Sequence, residues 1–106
     1  MNESEFLIIG KQLLDRMEAA LDESGLDVDI GRKSDGVVDL EFENGTHIIV
    51  NLQAPMRQVW LAAKAGGFHF ERKEGTWCDT RSGEGFVSAL AAQVTAQAGV
   101  PVSLDF

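Results

Sequence analysis

Residues Asn51–Ala63, NLQAPMRQVWLAA, join two apolar runs through one of the two prolines in the chain. Pro55 has no N–H to give to a ladder, so it interrupts the extended run before it. Successive strand side chains point to opposite faces, which puts Val59, Leu61 and Ala63 on one side and Gln58, Trp60, Ala62 and Lys64 on the other. A tryptophan on a polar face either sits under a neighbouring element or is held out for a partner.

The same alternation continues outward in both directions. Upstream, Leu26, Val28 and Ile30 alternate with Asp27, Asp29 and Gly31, and a polar turn over Arg32–Gly36 leads to a strand over Val37–Glu43. There Val38, Leu40 and Phe42 face inward. Asn44-Gly45 is the strongest hairpin signal, expected as a type I′ turn with positive φ at both residues. The return strand, Thr46–Leu52, buries Ile48, Val50 and Leu52. Downstream, Gly66-Gly67 and Glu74-Gly75 turn into short strands over Phe68–Arg72 and Thr76–Asp79.

Both ends of the chain change period. Phe6, Ile9, Leu13, Leu14, Met17, Ala20 and Leu21 gather on one face at 100° per residue, with Asn2 or Ser4 as cap and Ser24-Gly25 as stop. Lys11, Asp15, Glu18 and Asp22 form the opposite stripe. A second helix is expected from about Ser82, burying Phe86, Val87, Leu90, Val94 and Ala98, and ending at Gly99 and Pro101. Val102, Leu104 and Phe106 alternate again, so the tail should pack back. The fold class is α+β: a two-layer α/β sandwich, with two helices packed on one face of a five- to six-stranded antiparallel sheet. Residues 1–106 read as a single domain.

The formal charge of −8 is unevenly placed. Residues 1–43 hold twelve acids and four bases, whereas residues 44–106 hold five of each. Such a chain does not suit nucleic acid, which needs clustered Lys and Arg. It suits cations, basic protein surfaces, or simple solubility. No apolar run approaches the roughly 20 residues of a membrane span. A lone cysteine, Cys78, fits a reducing compartment, and the expected location is cytoplasmic.

Glu18, Asp22, Glu23, Asp27 and Asp29 are the candidate metal ligands. Hard carboxylate oxygens suit iron and similar cations, and the absence of nearby imidazole or thiolate points to weak binding. The alternative is a solvated charged face. Trp60 is the candidate partner-binding residue, against a packing role through cross-strand contacts with Asn51, Gln53 or His69. His47, His69 and Cys78 share no ligand spacing and read as ordinary sheet residues, and Trp77 reads as packing.

Asn51, Gln53, Pro55, Gln58, Trp60 and Leu61 together resemble the signature strand of the frataxin family. Phe42-Glu43-Asn44-Gly45, Gly66-Gly67-Phe68-His69-Phe70 and Arg81-Ser82-Gly83 extend the resemblance from Ser4 to the tail, in its bacterial form. The resemblance implies a non-enzymatic, iron-binding regulator of iron–sulfur cluster assembly. Its partners would be cysteine desulfurase and the iron–sulfur scaffold protein, and iron (Fe²⁺ or Fe³⁺) would be weakly bound. Glu18 and Asp22 would serve partner as well as metal, with Asn51, Gln53, Gln58 and Trp60 on the other contact surface. A monomer is expected, with iron-dependent oligomerisation as the alternative. The rival readings are an acidic nucleic-acid mimic that blocks a basic partner, and a weak ferroxidase or iron store.

Overall fold

The computed structural model describes residues 1–106. Two helices, α1 (Glu3–Glu23) and α2 (Phe86–Ala98), enclose a run of six strands in sequence. These are β1 (Val28–Ser34), β2 (Val37–Phe42), β3 (His47–Gln53), β4 (Gln58–Ala63), β5 (Gly66–Lys73) and β6 (Thr76–Asp79). They form one antiparallel meander in the order β1-β2-β3-β4-β5-β6. The two-layer α/β sandwich is the arrangement expected from the sequence.

α1 begins as its composition dictates. Asn2 accepts from Glu5 N–H, and the Glu5 side chain accepts from Asn2 N–H, a reciprocal capping box. Phe6, Leu13, Leu14, Met17 and Leu21 meet Val38, Leu40, Ile48, Val50, Val59, Leu61 and Phe70 in one core with Phe86, Leu90 and Val94 of α2. Gly10 faces this layer, where an added Cβ would stand 2.9 Å from a Leu52 methyl. Trp77 is buried edge-on to Phe6, with centroids 5.8 Å apart, as the packing reading expects. The tail also packs back: Val102 exchanges hydrogen bonds with the Thr95 hydroxyl, and the Phe106 ring meets Phe86 at 6.2 Å.

Three local expectations change. The Asn44-Gly45 hairpin exists, but only Gly45 has positive φ, and Gly45 N–H bonds to Phe42 C=O. That is a three-residue loop ending in a left-handed residue, not type I′. Asn44 instead uses its side chain, donating to Gln97 C=O at 2.7 Å and accepting from Thr46. The type I′ signature falls at Glu74-Gly75, with φ of 50° and 80°, between the paired residues Lys73 and Thr76.

α2 starts at Phe86 rather than near Ser82. Asp79 Oδ1 accepts from Arg81 and Ser82 N–H, Ser82 Oγ accepts from Glu84 N–H, and Gly83 has φ of 79°. These side-chain bonds close a turn in which helix cannot begin. Finally, β1 runs on through Arg32, Lys33 and Ser34, so the expected polar turn shortens to Asp35-Gly36. That extension decides the geometry of the acidic face.

Candidate functional site

Arg32 has the same strand parity as Val28 and Ile30, so its side chain emerges on the helix side of β1. It reaches α1, donating from Nη2 to Asp15 at 2.8 Å and from Nε to Glu18 at 2.9 Å. Asp15 and Glu18 lie one turn apart on one helix face, a spacing that lets a single guanidinium span both. Partial burial lowers the Arg32 pKa, but the bonds to Glu18 and Asp15 outweigh it and hold the guanidinium above its ordinary value. One turn earlier, Lys11 pairs with Asp35 at 3.0 Å. The acidic stripe of α1 therefore carries, besides its own Lys11, a base brought in from β1.

The five candidate metal ligands do not meet at one point. Glu18 is tied to Arg32, while Asp22 and Glu23 lie exposed at the end of α1 without an ion-pair partner. Asp29 has the opposite parity to Arg32 and faces outward from the sheet, not toward α1, while Asp27 lies exposed just before β1. No three His, Cys, Asp or Glu side chains anywhere in the structure come together as a metal-holding group. The carboxylates offer hard oxygen donors on open surface, a fit for a loosely held, largely hydrated cation rather than a closed cage.

A second acidic surface forms where β1 pairs with β2. Asp29 stands directly across from Glu41 in the β1–β2 register. One step further, the Asp27 carboxyl hydrogen-bonds to Glu43, and that bond, then the charge of Asp27, then slight desolvation raise the Glu43 pKa. Asp39 is engaged separately, its carboxylate 2.8 Å from His47 Nδ1. The alternation in Val37–Glu43 sets Asp39, Glu41 and Glu43 on one face; which acids of β1 they meet depends on register.

Trp60 lies partly buried on the outward face, opposite Asn51 of β3 and His69 of β5. Its ring stacks on His69 with centroids 4.2 Å apart and planes 8° from parallel. The indole N–H donates to Gln58 Oε1 at 2.8 Å. Gln58 is itself buried and reaches Glu71 at 3.3 Å, so it acts as a prop for the tryptophan rather than as open surface. Gln53 donates to Asn51 at 2.8 Å beside it. The exposed Ile49 and Ala62, paired in register, continue this face as a low apolar shelf. Ile49 alternates with buried Ile48 and Val50, and that alternation is the sequence signal for it.

Gln97 of α2 is a further tie that sequence reasoning misses. It is buried, accepts from Lys64 N–H at 2.9 Å, and donates to the Thr46 hydroxyl and to His47 C=O at 3.0 and 3.1 Å. It ties α2 to the ends of β3 and β4 beneath the outward face. A lone glutamine in a helix carries no sign of such a role.

The frataxin-like domain model matches residues 1–100 of the chain. An iron–sulfur cluster assembly protein CyaY of Paraburkholderia phytofirmans is 52% identical over 102 residues, 96% of each chain. The CyaY of Paraburkholderia phymatum is 48% identical over 104 residues, 98% of each. Among solved structures, a frataxin from Psychromonas ingrahamii superposes over 100% of both chains at 40% identity with a TM-score of 0.92. A trimeric frataxin from the yeast Saccharomyces cerevisiae, complexed with ferrous iron, matches 85% of each chain at 27% identity with a TM-score of 0.72.

Proposed function

The chain belongs to the frataxin-like family, and on that premise we propose that it is a non-enzymatic, iron-binding regulator of iron–sulfur cluster assembly. It works in the cytoplasm by contact with cysteine desulfurase and the scaffold protein on which the cluster is built. The observation that supports this most is the division of the surface. The excess acid folds onto α1 and the β1–β2 edge, while the propped Trp60 stands on the outward sheet face with Asn51 and Gln53. An acidic face steers a basic partner, and a desolvated aromatic anchors it.

Iron is taken weakly by exposed carboxylates among Glu18, Asp22, Glu23, Asp27 and Asp29. The same acids meet the desulfurase, so iron loading and partner contact influence one another. The chain acts as a monomer that iron can assemble further. No helix is long and apolar enough to cross a membrane.

The test is the binding of purified cysteine desulfurase to the chain with and without Fe²⁺ under anaerobic conditions, at two salt concentrations. Binding should weaken with salt, because a Debye length of roughly 10 Å at 0.1 M screens an exposed acidic face. It should also weaken in Asp22→Lys, mainly through slower association. Binding that ignores salt, Asp22→Lys and iron alike would overturn the reading.

A further inference from the structure

An open groove of about 730 Å³ runs between α1, α2, the β5–β6 hairpin and the C-terminal tail. Small-molecule sites are commonly of this size, roughly 300–1,000 Å³. Arg16 flanks it from α1 and Arg72 from β5. Trp77 is buried in its lining, with the Arg72 guanidinium over the ring, 5.5 Å from the centroid. Phe86 of α2 and the partly buried Leu104 and Phe106 of the tail supply the rest of its apolar wall. The charge of this lining runs against the composition of the chain. Acids outnumber bases by 17 to 9, yet two arginines and no Asp or Glu line the groove. Neither arginine enters an ion pair, whereas Lys11 and Arg32 on the acidic side of α1 both do. The first turn of α2, which lines one end, also carries no acid, although a helix start favours one.

We propose that this groove binds a small amphipathic anion, a carboxylate carried on an aromatic or branched apolar body. The body lies against Phe86, Leu104 and Phe106, and the carboxylate accepts from the guanidinium groups of Arg72 and Arg16. A guanidinium stacked on an indole keeps its in-plane N–H donors free, and a carboxylate matches that planar fork. Two unpaired guanidinium groups repel a cation, and an uncharged apolar molecule gains nothing from them. The groove lies on the helix side of the sheet, away from Trp60, and the proposal does not depend on the iron or desulfurase readings.

The probes are 3-phenylpropionate and its neutral counterpart 3-phenylpropanamide, titrated into the full chain at constant ionic strength while its N–H resonances are followed. The acid should shift the Trp77 indole and the Phe86 and Leu104 amides saturably, with a Kd of about a few millimolar, as a ligand of this size allows. The amide should bind at least about fivefold more weakly. Arg72→Gln and Arg16→Gln should each weaken the acid by about three- to tenfold and leave the amide unchanged. Thermal melts establish that each variant is folded. If Arg72→Gln fails to fold through loss of the stack on Trp77, the exposed Arg16→Gln decides alone. Equal binding of acid and amide, or binding of the acid that survives both substitutions, overturns the proposal. So does the absence of a saturable shift up to about ten times the expected Kd, or shifts centred on the Trp60 indole instead.

Discussion

Replacing Trp60 by alanine separates what this residue does for the fold from what it does for a partner. The parallel stack on His69 is an aromatic contact, worth about 0.5–1.5 kcal/mol beyond area burial. The ring is mostly covered, so it contributes most of the ~1.5–3 kcal/mol expected for a fully buried large side chain. Gln58 Oε1, buried beneath it, loses its donor at a further cost of about 1 kcal/mol. The sum is about 3–5 kcal/mol, at most the lower end of the ~5–15 kcal/mol stability of an ordinary domain. Trp60→Ala should therefore still fold, with a melting temperature lower by roughly 10–30 °C. Trp60→Phe keeps the stack and loses only the N–H, so it should fall between. Both variants are to be melted and then tested for binding to the assembled desulfurase–scaffold complex at two salt concentrations. Loss of the aromatic anchor should cost about 1–3 kcal/mol of binding, mainly as faster dissociation, and should persist at high salt. An unchanged melt would refute the stacking argument, and complete unfolding would place Trp60 in the core. A stable variant that binds as before would refute the anchor.

Two further outcomes follow from local chemistry. The Glu43 pKa is raised by the hydrogen bond and charge of Asp27. For an acid with a raised folded pKa, the favourable contribution is present below its ordinary value near 4.5 and is lost as pH rises through the folded value. Glu43→Gln should therefore gain stability over the parent as pH rises above that range and hold the gain at neutral pH; urea melts from pH 4 to 7.5 with no widening gap would sink this account. At the β5–β6 turn, Glu74 is a non-glycine residue at φ of 50°. Asparagine tolerates that conformation better, so Glu74→Asn should raise stability by about 0.5–1 kcal/mol in a urea melt, and a loss would mean the glutamate makes a compensating contact.

Periodicity carries most of the architecture. Alternation at period 2 identifies the inward residues Val38, Leu40, Ile48, Val50, Val59 and Leu61, and the 3.6-residue stripe identifies the buried face of α1. Alternation also places Trp60 outward, and the charge count alone locates the excess acid in residues 1–43. These are local properties, because the face a side chain takes depends on its neighbours in the chain. Turn types are less legible: Asn44 spends its side chain on Gln97, and the left-handed pair falls to Glu74-Gly75. The candidate site depends most on tertiary structure. Arg32 meets Asp15 and Glu18 across 17 and 14 residues, Asp27 meets Glu43, and Trp60 meets His69 and Gln58. Each contact is set by strand register or by how α1 lies along β1. The sequence determined which faces are apolar, acidic or aromatic; tertiary packing decided which charges are already neutralised and which remain open to a cation or a partner, since an ion pair depends on distance in space and not on separation along the chain.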